Sequence, residues 1–352
     1  MNTRSIIVAA IIWSVFVVPT TVGAQTPADF PLPNGHFYTQ ANGASGSGGT
    51  GYAIVDANAS MSSFGLQEIP FSTAFNQHGG VASLGYPASR LTVFPDFPIQ
   101  VNQKLVLQYQ PGKGIFFLNT FDLLHNRGFD AFLDSVRSVP PPFDTAPDAA
   151  LPNFSDVIAR HQAFLNADPA IRSVYFNVSD PLQEYGLPTG AKDYGNVFVV
   201  RSQRAAFQHW RVDVGPNKAN TVTIVNGGDI GKELALFPAA AVVPEGPPSF
   251  NNNLVVLEPG SGQTVRSPIV ASGYARFFEA VGNYELRDAT NHVLASGSFM
   301  AAAGTSPIFA RFDTTVPFVI PNQQTGILAI FSVSQKDGSR TDVVQIPIVL
   351  SP

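Results

Sequence analysis

The 352-residue chain has no cysteine. That excludes a disulfide framework, a thiolate metal site, thiol chemistry and a lipid-anchored cysteine. Charge is scarce as well, at 13% Asp, Glu, Lys and Arg, with a net charge of −5. The 20 basic residues are scattered singly, whereas nucleic acids and anionic membrane surfaces select clustered Lys and Arg. Nucleophile and phosphate motifs are absent: no G-x-S-x-G occurs, and no Gly-rich stretch ends in Gly-Lys-Ser/Thr. The six histidines (His36, His78, His125, His161, His209, His292) never pair at i, i+4, and there is no H-E-x-x-H. The sequence therefore leads to no catalytic residue, no metal site and no cofactor.

What is present is material for cores. Hydrophobic residues make up 45% of the chain, 28 of them Phe, which is globular rather than disordered composition. The length favours more than one domain, because single cores stop growing near ~250–300 residues. At the N-terminus, Arg4 precedes the apolar run 6–18, and small residues then lead to "VGA" (22–24) before Gln25. This is the layout of a signal peptide over 1–24, cleaved near Ala24. The run is shorter than the ~20 residues a transmembrane helix needs.

Further along, "HFYTQ" (36–40) and "GYAIVD" (51–56) flank a Gly/Ser stretch at 42–51, as two strands flank a long hairpin tip. "IPFSTAFNQHGGV" (69–81) has helical spacing and a Gly-Gly stop. Residues 119–139 carry a helical face broken near Gly128, and 155–176 open on Ser155 as N-cap, with Pro169 starting a second helix. "NGGDIGKE" (226–233) reads as a turn with Asp229 as N-cap and Glu233 in the first turn of a helix.

One phrase is written twice. "LGYP" (84–87) and "YGLP" (185–188) share Gly-x-Pro at an offset of 101, and "QKLVLQYQ" (103–110) and "QRAAFQHW" (203–210) share two Gln at an offset of 100. Two turn-and-strand units separated by a helical insert predict a duplicated α+β domain over 25–236. The Pro-rich stretch 237–253 reads as an interdomain linker. Beyond it, 254–352 holds seven short β-like segments with turn signals between them, including "KDGSR" (336–340) as a hairpin tip. That density of strands is the pattern of an immunoglobulin-like sandwich.

The segments "EPGSGQTVRSPIVASGYARFFEAVGNYELRD" (258–288), "VLASG" (293–297), "GILAIFSVSQKDGSR" (326–340) and "IPIVL" (346–350) resemble the immunoglobulin-like domain of bacterial spore-germination and related exported proteins. The resemblance implies a β-sandwich in an extracellular or envelope setting, with no catalytic residues. The words "LGYP" and "YGLP" more distantly resemble the LGFP repeat of bacterial wall-associated proteins, although the second lacks the Leu-Gly order. That resemblance implies a setting and no mechanism.

Gln103, Gln108, Gln203 and Gln208 alternate with apolar residues beside Tyr109 and Trp210. Aromatic rings with amide partners suit sugars, whose C–H faces stack and whose hydroxyls hydrogen-bond. The alternative is structural, the Gln side chains tying each strand to the preceding loop. The expected function is an exported, non-enzymatic envelope protein that binds cell-wall glycan or another surface protein. A wall-polymer hydrolase using Asp122, Asp130, Asp134, Asp180 and Glu184 is one alternative, since a glycosidase needs two carboxylates in a cleft. A structural spacer is the other.

Overall fold

The computed structural model describes residues 29–39, 51–61, 64–303 and 307–352. The expected signal segment 1–24 and nearly all of the Gly/Ser stretch lie outside them. The chain begins with β1 (Phe30–Leu32), β2 (Gly35–Thr39), β3 (Gly51–Met61) and β4 (Gly65–Pro70), antiparallel in succession. The hairpin expected from 36–56 is thus β2 and β3. Strand β3 is covered on both faces: Ala53, Val55 and Ala57 face one buried cluster, and Ile54 faces another.

Next come α1 (Phe71–Gln77) and α2 (Gly80–Leu84). The helix expected over 69–81 is therefore shorter, because Ile69 and Pro70 complete β4, and a second short helix starts at Gly80, the second glycine of the Gly-Gly stop. Strands β5 (Thr92–Val93), β6 (Pro98–Val101), β7 (Val106–Gln110) and β8 (Gly114–Phe117) form an antiparallel meander. Helices α3 (Thr120–Asn126) and α4 (Asp130–Arg137) follow, separated at Gly128 as the interrupted apolar pattern predicts. Then come α5 (Phe154–Gln162), α6 (Pro169–Tyr175) and α7 (Pro181–Glu184). Asn153, not Ser155, precedes α5, whereas α6 starts at Pro169 with the Asp168 carboxylate accepting the Ile171 N–H at 3.0 Å. A second meander, β9 (Pro188–Asp193), β10 (Val197–Ser202), β11 (Ala206–Trp210) and β12 (Val222–Ile224), leads into α8 (Gly227–Glu233). Asn226 occupies the N-cap position of α8 that the sequence suggests for Asp229.

The last third is β13 (Ser249–Phe250), β14 (Leu254–Glu258), β15 (Thr264–Arg266), β16 (Ile269–Ala275), β17 (Val281–Asp288), β18 (Val293–Met300), β19 (Ala310–Val316), β20 (Gln324–Val333) and β21 (Arg340–Ser351). Strands β13, β14, β16 and β19 lie in one sheet, and β15, β21, β20, β17 and β18 form the other. Leu254, Val256, Phe312, Leu328, Ile346 and their neighbours fill the space between. Every β-like segment of 254–350 becomes strand, and "KDGSR" turns the chain from β20 into β21.

Two features lie outside the expected layout. First, the N-terminal hairpin joins the sandwich: β3 runs parallel to β19, and the Asn58 N–H donates to the Phe309 carbonyl at 2.7 Å. Leu32, Phe37, Val55, Val255, Leu257, Tyr274 and Phe309 are buried together across this seam. Second, the Pro-rich stretch is packed. Glu245 exchanges backbone hydrogen bonds with Gly51 (3.2 and 2.8 Å), and its carboxylate accepts the Ala53 N–H at 2.8 Å. Arg90 donates to the Val243 and Pro244 carbonyls and pairs with Glu258 at 2.6 Å. A segment rich in proline lacks N–H groups to satisfy, so it can be buried once its carbonyls find donors.

Candidate functional site

The two Gly-x-Pro turns carry the same set of hydrogen bonds. The Oε1 of Gln103 accepts the Tyr86 N–H at 3.1 Å, and the Oε1 of Gln203 accepts the Leu187 N–H at 3.0 Å. The backbone N–H groups of these two Gln return to the Tyr86 and Leu187 carbonyls, at 2.9 and 3.1 Å. Lys104 and Arg204 then donate to Leu84 and Tyr185 in the same way. Gly85 and Gly186 have φ of +78° and +74°, and a Cβ on either would stand 2.6 or 2.9 Å from the facing Gln Cβ. Only glycine meets both demands.

The Gln carbonyls are answered from the other meander. The Phe121 N–H of α3, which follows the first meander, donates to Gln203 O at 3.0 Å, while the Gly228 N–H of α8, which follows the second, donates to Gln103 O at 2.9 Å. This contact is close: a Cβ on Gly228 would lie 1.9 Å from the Asn102 carbonyl oxygen. Gly228→Ala is therefore expected to lower stability by about 1–3 kcal/mol through overpacking. An unchanged urea midpoint would show that α8 can retreat freely.

Behind the second meander lies an open cleft of about 790 Å³. The end of α4 (Val136, Arg137), strands β11 and β12, and α8 wall it, with Lys104 at one side. Gln208 and Trp210 alternate on β11 and so share its cleft-facing side. The Gln208 amide donates to the Arg137 carbonyl at 2.9 Å, and the Trp210 indole N–H donates to Thr223 Oγ1 at 2.8 Å. Trp210 is 8% exposed, so little of its ring is open to the cleft. Arg137 forms an ion pair with Glu233 on α8. Burial pushes the Asp229 carboxyl up, against the opposing pull of Lys232, and burial pushes the Lys104 ammonium down. A smaller space of about 210 Å³ occupies the matching position behind the first meander, lined by Gln108, Asn119 and Arg204. There the Arg204 side chain reaches Asn119 Oδ1 and the Leu182 carbonyl, both at 2.7 Å.

The six residues singled out by sequence are thus divided. Gln208 and Trp210 line the large cleft, Gln108 the small one, and Gln103 and Gln203 hold the turns. Tyr109 packs against the central core, with its hydroxyl 3.4 Å from Gln67 Oε1. In the paired phrases it aligns with His209, one residue before Trp210, and adjacent strand residues face opposite ways. Tyr109 and Trp210 do not form one strip.

The five carboxylates of the hydrolase alternative also have separate engagements. Asp122 accepts from Gln203 Nε2 at 3.1 Å, Asp134 holds Lys192 and Tyr194, Asp180 caps α7, and Glu184 sits 3.0 Å from His78 Nδ1. Asp130 pairs with Arg201 at 2.8 Å. Partial burial raises the Asp130 carboxyl, but the bonds from Arg201 and His125 prevail and hold it below the usual carboxylate range. The carboxylates that line the large cleft are instead Asp229 and Glu233. The sequence signal for them was their i, i+4 spacing on one short helix, which solvated helix surfaces share. Among the described residues, no group of three or more His, Asp or Glu side chains is arranged to hold a metal ion.

The sandwich supplies the comparison that decides its kind, with two stacked sheets and an immunoglobulin-like strand count. Residues 253–339 match the model of the immunoglobulin-like domain of bacterial spore germination. This germination-type domain covers about a quarter of the chain, and here its sandwich is completed by β21, which runs on to Ser351. No curated protein matches the chain. The germination-type domain therefore accounts for the C-terminal sandwich and leaves the meander region to be read from its own geometry.

Proposed function

We propose that this is an exported, non-catalytic envelope protein that binds cell-wall glycan through the cleft at Gln208 and Trp210. The observation that carries the reading is the cleft itself: about 790 Å³, open, and lined by amide, carboxylate, cationic and apolar groups side by side. Such a mixed lining suits sugars better than a fully apolar ligand. Residues 25–236 are read as one unit written twice, a view supported by the matching turn bonds at Gln103 and Gln203. The leader over 1–24, the LGFP-like turns and the germination-type domain agree with a place outside the cytoplasm.

Trp13 and Trp210 are the two tryptophans of the chain, so removal of the leader leaves Trp210 as the sole indole. The protein without residues 1–24 is expected to sediment with insoluble peptidoglycan, and soluble wall fragments are expected to change Trp210 emission saturably. Absence of both responses overturns the reading. Release of soluble fragments from the wall on incubation would favour the hydrolase instead.

A further inference from the structure

The lining of the large cleft is unevenly spent. Gln208 already donates to the Arg137 carbonyl, Trp210 to Thr223, and Asn226 to Asp229 at 3.4 Å. Lys104 donates to the Ala82 carbonyl at 2.6 Å, and Arg137 is held by Glu233. The Asp229 carboxylate has much less. Its side-chain contact is the long one from Asn226, and its backbone N–H is separately taken by Gln103 O at 3.2 Å. The matching residue in the first copy, Asp122, sits at the same place on α3 and is closed by Gln203 Nε2 at 3.1 Å. Gln103 makes no such bond to Asp229. Burial also holds the Asp229 carboxyl above its usual range, as expected of a carboxylate partly withdrawn from water and short of donors.

We infer that Asp229 is the ligand-facing hydrogen-bond acceptor of the cleft and that the ligand is an uncharged, hydroxyl-rich sugar chain. This rests on the glycan-binding reading above. A hydroxyl donor fills the acceptor deficit of a half-buried carboxylate without bringing in a second negative charge, which an acidic polysaccharide would place against Asp229 and Glu233. Gln208 on β11, across from α8 in the same cleft, carries a second amide acceptor for the same kind of group.

The test is calorimetric titration of the intact protein with a neutral N-acetylhexosamine oligomer and with a uronic-acid oligomer of equal length. Asp229→Asn, Asp229→Ser and Asp122→Asn are compared, each first checked for an unchanged melting profile. The neutral oligomer is expected to bind more tightly than the acidic one. Both Asp229 variants should weaken it roughly tenfold, the loss of one charge-assisted hydrogen bond, and Asp122→Asn should leave it unchanged. Equal or tighter binding of the uronic-acid oligomer overturns the inference. So does wild-type affinity in the Asp229 variants, which would leave the cleft reading standing. If neither oligomer binds although the protein sediments with wall, the inference falls alone; if it does not sediment either, both fall.

Discussion

Arg201→Met is expected to lower the stability of the protein by about 3–5 kcal/mol, the usual cost of removing one partner of a buried ion pair. Arg201 is 0% exposed. Its guanidinium holds Asp130 at 2.8 Å, the Pro140 carbonyl at 3.0 Å and the Phe121 carbonyl at 2.6 Å. Methionine fills much of the volume but leaves both carbonyls without these donors and Asp130 without its cation. The position of Phe121 on α3 corresponds to Gly228 on α8, and the residue matching Arg201 in the first meander is Val101, equally buried. A β-branched apolar side chain is thus adequate where glycine lets the helix approach. Where the bulkier Phe121 stands, the polar cluster takes its place. Chemical denaturation of wild type and variant measures the difference. A loss below about 1 kcal/mol, within the range of an ordinary hydrogen bond, would mean that water replaces the guanidinium and that Arg201 is not the centre of this cluster.

The second large effect concerns pH. Burial pushes the Glu245 carboxyl up to about 7 from 4.5, against the bond from the Ala53 N–H and the nearby Arg90 guanidinium, and Glu258 adds to the rise. An acid whose folded value is raised binds its proton more tightly in the folded state. Its contribution is therefore complete below about pH 4.5 and is lost as pH rises through about 7. The whole span corresponds to about 3 kcal/mol. Glu245→Gln keeps a neutral acceptor for the Ala53 N–H and removes the titration. The variant is expected to match wild type below about pH 4.5 and to exceed it by about 3 kcal/mol at pH 8. Taking the difference between the two proteins cancels histidines that titrate in the same window. Parallel stability profiles for the two proteins would dismiss Glu245 as the source.

Much of the fold was legible because it is written locally. The Gln pairs, the Gly-x-Pro turns, the break at Gly128, the start of α6 at Pro169 and the strands of 254–350 all follow from spacing within a dozen residues. The missing parts depend on distant partners. Nothing near Asn58 announces that its N–H will meet Phe309, and "AAAVVPEGPPSF" looks like a linker until Arg90 and Tyr52 supply donors to its carbonyls. The candidate site divides along the same line. Gln208 and Trp210 were found by their alternation on one strand. Asp229 and Arg137 belong to helices that come to that strand only through the fold, and Tyr109 was separated from Trp210 by a one-residue difference in strand parity.

The crossed bonds from Phe121 to Gln203 and from Gly228 to Gln103 bear on descent. On the reading of 25–236 as a doubled unit, a lone copy would leave its Gln carbonyl facing no helix, because the helix that answers it always follows the other copy. Two separate copies related by a twofold axis would satisfy both carbonyls at once, each lending its helix to its mate. The arrangement now contained in one polypeptide is the one expected if a self-pairing ancestor was later joined end to end. On that reading the halves then diverged, so that the Gln208 side keeps about 790 Å³ where the Gln108 side keeps about 210 Å³.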